Sequence, residues 1–160
     1  MATIDTTLPT GRSALQLFPE VLDWTRPGMF EQFEVPRPLV RDAAYVRVLD
    51  QINDLKKLLE GWDSYRGNKI DEAARSSAFV FVTMLATHLH NPVPPPVVGP
   101  SADGGVVLRW EPPDLEVVVK LLSHGGEYYV ARRDEESLLA EGEVGSLESL
   151  VDLIRKFLPT

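Results

Sequence analysis

Cysteine is absent from the 160 residues of this sequence. Its absence excludes disulfide bonds, thiolate metal sites and cysteine nucleophiles. Also missing is any apolar run close to the roughly 20 residues that a membrane-spanning helix requires. Residues 1–11 lack the charged and then apolar pattern of a secretion signal. From these absences we expect a cytoplasmic protein that has no membrane partner.

Basic residues are scarce, because 16 lysines and arginines stand against 24 acidic residues and give a net charge of −8. The imbalance is uneven: residues 1–100 carry 12 acidic and 10 basic groups, whereas residues 101–160 carry 12 and 6. Sequence-independent binding to nucleic acid needs a basic footprint. We therefore expect no direct contact with nucleic acid. The acidic C-terminal part would instead attract a basic protein partner.

Residues 1–38 form an N-terminal arm in which prolines at positions 9, 19, 27, 36 and 38 interrupt any long helix or central strand. The arm nevertheless has more large apolar residues than a disordered tail usually contains. Two interpretations stay open: these side chains pack over the helices of their own chain, or they anchor a partner protein. The second interpretation makes these residues candidates for partner binding: Phe18, Trp24, Met29, Phe30 and Phe33.

Residues 39–160 are predicted to form a single domain, which suits their length. Apolar residues recur at steps of three and four from Leu39 to Trp62, and again from Ile70 to about His90, which predicts two helices. The short loop between them favours an antiparallel pair. After the prolines at 94–96 the period becomes two, which predicts an antiparallel meander of four to five strands. A last helix opens at Ser146. The predicted fold class is α+β, in two layers.

Three features occur together within residues 45–145. Residues 61–65 read Gly-Trp-Asp-Ser-Tyr after the first helix, a second helix and a proline connector follow, and residues 103–105 read Asp-Gly-Gly before a strand that ends Arg-Trp-Glu. This combination resembles a group of small, uncharacterised bacterial proteins in which a Trp-Asp-Gly-Tyr-Gly loop joins two helices and an Asp-Gly-Gly hairpin leads into a strand ending Glu-Trp. The resemblance implies the same fold and a bacterial origin, and it implies no chemistry. The chain departs from the pattern, where glycine, glycine and glutamate are expected, at Ser64, Arg66 and Arg109.

The sequence contains no recognisable catalytic set. His88 and His90 are two residues apart on a predicted helix and so point to different faces, and His124 lies in a predicted hairpin turn. The paired glycines at 104–105 and 125–126 precede strands rather than helices, so they do not form phosphate loops. No serine has the context of a nucleophile elbow. We therefore expect no metal site, no cofactor and no enzymatic activity.

The loop between the two predicted helices is the one alternative site. It brings together Trp62, Asp63, Tyr65 and Arg66. An enzyme or small-ligand binder would use Asp63 as the acid–base group and Tyr65 as an orienting hydroxyl. The structural interpretation is that Asp63 ties the loop, Asp71 caps the second helix and the two aromatic rings pack on the core.

The favoured hypothesis is a non-enzymatic protein–protein interaction module, either an accessory subunit or an inhibitor of the antitoxin type. It would dock through the aromatic arm and through the uncovered sheet face, while the carboxylates of residues 134–143 set its orientation. A third hypothesis is a self-associating structural protein that forms homo-oligomers. On the sheet face the candidate contact is Tyr129, among Val107, Val118 and Ala131.

Overall fold

The computed structural model describes residues 40, 42–88, 93–134 and 137–158, which contain three α-helices and five strands. The helices are α1 (Ala43–Asp54), α2 (Glu72–His88) and α3 (Leu147–Phe157). The strands are β1 (Val97–Pro100), β2 (Val106–Trp110), β3 (Leu115–Leu122), β4 (Gly125–Arg132) and β5 (Leu138–Val144). This order confirms the predicted α+β class, with a helix pair, an antiparallel meander and a C-terminal helix. Residues 1–38, predicted as an arm, lie outside the described part of the chain.

Each helix begins at a polar side chain that caps the free amides of its first turn. At α1, the Asp42 carboxylate accepts from the amide of Ala44 at 2.8 Å. At α2, the Asp71 carboxylate accepts from two first-turn amides at 2.8 and 3.2 Å, which confirms the predicted cap. At α3, Ser146 and Ser149 form a reciprocal capping box. The sequence pattern therefore identified two of these three starting points.

Helix α1 is shorter than the predicted span of Leu39 to Trp62. It ends at Asp54 and continues only as a 3₁₀ turn over Leu55–Lys57. The chain then becomes extended at Leu58, and Gly61 adopts a φ of +77°, which a right-handed helix does not allow. Leu59 fits the apolar spacing in the sequence, but its side chain is 73% exposed and is not part of the core.

The five strands pair in chain order, β1-β2-β3-β4-β5, and every neighbouring pair is antiparallel. The pairing between β4 and β5 contains one irregularity, a register shift at Val130 and Ala131. The four-residue strand β1 forms one edge of this sheet, and β5 forms the other.

The three helices pack on one face of this sheet, so the domain has two layers. Two hydrogen bonds join the connector before β1 to that core: the Tyr45 hydroxyl donates to the Val93 carbonyl at 2.7 Å, and the indole of Trp110 donates to the Pro94 carbonyl at 2.8 Å. No described helix has the length and apolar character needed to cross a membrane. The buried residues of the inner sheet face are Val106, Leu108, Trp110, Val117, Val119, Leu121, Val130 and Val144.

Candidate functional site

The loop between α1 and α2 lies against the hairpin that joins β1 to β2. The amide of Asn68 donates to the Ala102 carbonyl, and the amide of Asp71 donates to the Gly104 carbonyl, both at 2.8 Å. Gly104 has a φ of +89°, and a Cβ atom placed on it would lie 3.1 Å from the carbonyl oxygen of Lys69. The interhelical loop and the Asp-Gly-Gly hairpin, which are distant in sequence, therefore form one joint in the fold.

Asp63 holds the loop closed. Its Oδ1 accepts from the amide of Gly67 at 2.8 Å and from the amide of Tyr65 at 3.0 Å. These two donors lower the pKa of the Asp63 carboxyl below its usual value. The predicted role as a loop tie is confirmed. A lowered pKa opposes proton donation near neutral pH, so this geometry gives no support to a general acid at this position.

The two aromatic residues of the loop differ in their surroundings. Trp62 is half-buried, and its indole Nε1 donates to the Asn68 carbonyl at 3.1 Å. Tyr65 is 88% exposed, so the interpretation that its ring packs on the core is wrong. The physical reason is Ser64, whose φ of +65° turns the chain at the outer end of the loop. Arg66 follows Tyr65 at the surface, and a ligand site here stays a prediction.

The second candidate surface is the outer face of the sheet, which points away from the three helices. Its residues alternate with the buried inner residues along β2, β3 and β4. Val107, Tyr129 and Ala131 are half-buried, and Val118 is buried. The predicted grouping of these four residues on one face is confirmed. On β2, β3 and β4, the outer face includes Val107, Arg109, Glu116, Val118, Lys120, Glu127, Tyr129 and Ala131.

The strand register joins outer-face residues into rows that cross the whole sheet. The central row consists of Val97, Arg109, Val118, Tyr129 and Glu141, each opposite the next. Five strands at the usual spacing make this row about 19 Å wide. Val97, on the β1 edge, leaves 69% of its side chain exposed. The row therefore runs from an apolar side chain at the β1 edge, through Arg109, Val118 and Tyr129, to an acidic side chain at β5.

Lys120 stands next to the central row and neutralises two carboxylates. Its Nζ lies 2.6 Å from Asp103 Oδ2 and 3.4 Å from Glu127 Oε2. The hydrogen bond to Asp103 is the main cause of a raised Lys120 pKa, and Glu127 adds to the effect. The lysine therefore joins the β1–β2 hairpin to the outer face.

Arg109 on β2, like Lys120 on β3, lies close to two carboxylates. Its Nε lies 3.4 Å from Glu116 Oε1, and its Nη1 lies 3.8 Å from Glu111 Oε1. Burial raises the pKa of the neighbouring Tyr129, and the charge of Glu116 raises it further, against a smaller opposing effect of Arg109. With its pKa raised, the Tyr129 hydroxyl keeps its proton at neutral pH beside the Glu116 carboxylate.

No protein-family model matches this chain, and comparisons with curated proteins and with solved structures gave no match. What the protein does has therefore to be inferred from its own surface.

Some of the predicted site residues lie outside the described part of the chain. These are the candidate partner-binding residues of the arm and His90. His124 is exposed in the turn between β3 and β4. Among the described residues, no three histidine, aspartate or glutamate side chains are grouped so that they could hold a metal ion. The arm residues concerned are Phe18, Trp24, Met29, Phe30 and Phe33.

Sequence reasoning missed the polar half of the outer face. Alternation showed that Arg109 and Lys120 lie on the same side as Tyr129, but it did not give the residue opposite each of them. That depends on register, which turn geometry and core packing set together. A usable signal was nevertheless present: both cations occur at outward positions of strands that otherwise have apolar or acidic residues there.

Proposed function

We propose that the protein is a non-enzymatic interaction module of the bacterial cytoplasm, an accessory subunit or inhibitor that docks a partner protein on the outer face of its sheet. One observation carries the proposal. Val107, Val118, Tyr129 and Ala131 form an apolar centre on a sheet face that none of the described helices covers. A freely hydrated antiparallel sheet usually presents polar residues there.

The composition of this face matches that of a docking surface. Interfaces commonly combine an apolar centre with a polar rim, and tyrosine and arginine are enriched among the residues that dominate binding. Here Tyr129 lies at the centre, and Arg109 lies two strands away on the same face, on the other side of Val118. Arg109 already forms an ion pair with Glu116 on this face, so its side chain is partly ordered before any partner protein arrives.

The charges favour a basic partner. Six carboxylates lie on the face and its rim, against four cations: Arg109 and Lys120 on the face, and Arg132 and Arg133 beside Glu111 and Glu116 at its end. Four minus six leaves a net charge of −2, and such an excess speeds and orients the approach of a basic surface. The six carboxylates belong to Asp103, Glu111, Glu116, Glu127, Glu141 and Glu143.

The test is recovery of the tagged full-length protein from its native host at low and high salt, with the accompanying proteins identified by mass spectrometry. Tyr129→Thr and Tyr65→Thr form a matched pair, because each removes one tyrosine, from the sheet face and from the loop respectively. We expect a stoichiometric partner that Tyr65→Thr retains, that Tyr129→Thr loses, and that high salt weakens. Thermal unfolding of both variants controls for stability.

Loss of the partner with Tyr65→Thr alone would overturn the sheet-face proposal and favour the loop. Recovery of the protein without any partner would also contradict it and would favour a ligand at the loop. The contribution of the arm is tested in the same assay by a full-length variant in which three of its aromatic residues become serine. If the arm anchors the partner, that variant loses it; the residues changed are Trp24, Phe30 and Phe33.

A further inference from the structure

Within the described sheet, strand β5 is an edge strand. It pairs with β4 on one side, and no strand among the described residues pairs with its other side. It is seven residues long, and it exposes 52% of Leu138 and 43% of Leu139. A strand edge of this length presents backbone N–H and C=O groups that another extended chain can pair with.

The side chains along this edge restrict what can pair there. Glu141 and Glu143 both point to the outer face, and Glu143 lies directly opposite Glu127 on β4. No described lysine or arginine lies within 4.0 Å of a carboxylate oxygen of Glu141 or Glu143. Like charges directly opposite one another in a sheet are unfavourable. A second copy of β5 would add further glutamates to the same place, whereas a basic strand would neutralise those already present.

We propose that β5 accepts an extended basic segment of the partner as a sixth strand of the sheet. This inference rests on the proposed function and names the geometry by which the partner continues the outer face. Because Glu141 and Glu143 are two residues apart on one face, the incoming strand needs two basic residues two positions apart. One of these residues would extend the central row by one strand. The other would extend the neighbouring row, in which Lys120, Glu127 and Glu143 lie opposite one another.

The test uses a synthetic peptide, acetyl-Lys-Val-Lys-Val-Lys-Val-Lys-amide, titrated into the ¹⁵N-labelled full-length protein at low salt. Alternating lysines place a cation opposite both glutamates in either strand direction. A second peptide of equal charge carries N-methyl groups on all of its residue nitrogens, which removes the backbone donors from both edges of the strand. The protein variants are Glu141→Gln/Glu143→Gln and, as a charge-matched control on other exposed surfaces, Glu60→Gln/Glu148→Gln.

We expect saturable binding of the first peptide, with amide shifts concentrated in β5. We also expect no comparable binding of the N-methylated peptide. The Glu141→Gln/Glu143→Gln variant should bind roughly two- to thirtyfold more weakly, as two exposed charge contacts imply, and the control variant should bind like wild type.

Four outcomes would overturn the inference: no binding of the first peptide, equal binding of the N-methylated peptide, equal binding by the Glu141→Gln/Glu143→Gln variant, or a dimer of the free protein whose contacts occupy β5. The titration needs no native partner. Suppose that the peptide does not bind, but that the host yields a partner that wild type retains and Tyr129→Thr loses. That result would refute strand addition and leave the docking proposal intact. Absence of any partner from the host would refute the docking proposal itself.

Discussion

Replacing Gly104 by alanine tests the joint between the interhelical loop and the β1–β2 hairpin. Gly104 has a φ of +89°, its carbonyl accepts from the Asp71 amide at 2.8 Å, and an added Cβ would meet the Lys69 carbonyl oxygen at 3.1 Å. Two other glycines separate these effects. Gly61 has a φ of +77° and nothing within 4 Å of an added Cβ, while Gly99 has open space and no positive φ.

The three substitutions should differ in a fixed order. Alanine gains about 0.4–1 kcal/mol at a compatible position because it restricts the unfolded chain, so Gly99→Ala should be neutral or slightly stabilising. A left-handed backbone costs an L-residue roughly 1–2 kcal/mol, which leaves Gly61→Ala about 0.5–1 kcal/mol less stable. Gly104→Ala adds the close contact and a weakened hydrogen bond of about 0.5–1.5 kcal/mol, for a total near 1.5–2.5 kcal/mol.

The assay is equilibrium urea unfolding of the three full-length variants beside wild type, followed by tryptophan fluorescence. The midpoints should fall in the order Gly99→Ala, Gly61→Ala, Gly104→Ala, with similar slopes. If Gly104→Ala is no less stable than Gly61→Ala, the hairpin does not rest against the Lys69 carbonyl, and the joint is not a close contact. If Gly99→Ala is as costly as Gly104→Ala, the open space beside β1 is filled by part of the chain.

Three further predictions concern stability. Tyr45→Phe leaves the buried Val93 carbonyl without its donor and should cost about 1–3 kcal/mol in urea unfolding. Because the native pKa of Asp63 is lowered, its ionised form stabilises the fold above the unfolded pKa, and this contribution is lost as pH falls through the native value. The stability advantage of wild type over Asp63→Asn should therefore shrink below about pH 4; an advantage constant with pH would contradict it. Glu143→Lys replaces a repulsion with Glu127 by an attraction and should raise stability by about 0.2–1 kcal/mol, whereas an unchanged midpoint would show that the two side chains point apart.

Most of the fold could be predicted from periodicity and turn chemistry, because the central strands β2, β3 and β4 alternate in sequence and short turns leave few topologies. The end of α1 could not. Leu59 and Trp62 continue the helical spacing, and only the three-dimensional closure of the loop, through the bond from the Gly61 amide to the Gly67 carbonyl at 2.7 Å, shows that the helix has already ended. Local periodicity does not register such a tertiary hydrogen bond.

The sequence predicted which residues belong to the candidate site, but it did not predict how they are arranged. Alternation placed Val107, Val118, Tyr129 and Ala131 on one face, and the structure agrees. The exposure of Tyr65 was not predictable, because the sequence does not show that Ser64 adopts a positive φ. The pairing of Glu127 with Glu143 also depends on register, including the shift at the start of the β4–β5 ladder.

The carboxylates at β5 bear on both self-association and docking. An open strand edge risks pairing with copies of the same protein, and charged residues on it are a common protection. Glu141 and Glu143 provide that protection at some expense of stability, since Glu143 faces Glu127 and the nearby Lys120 is already shared with Asp103. Protection alone would be served equally well by a lysine at 143, which would also relieve the repulsion. On our proposal that β5 accepts a basic strand, Glu143→Lys should therefore raise stability and abolish peptide binding together.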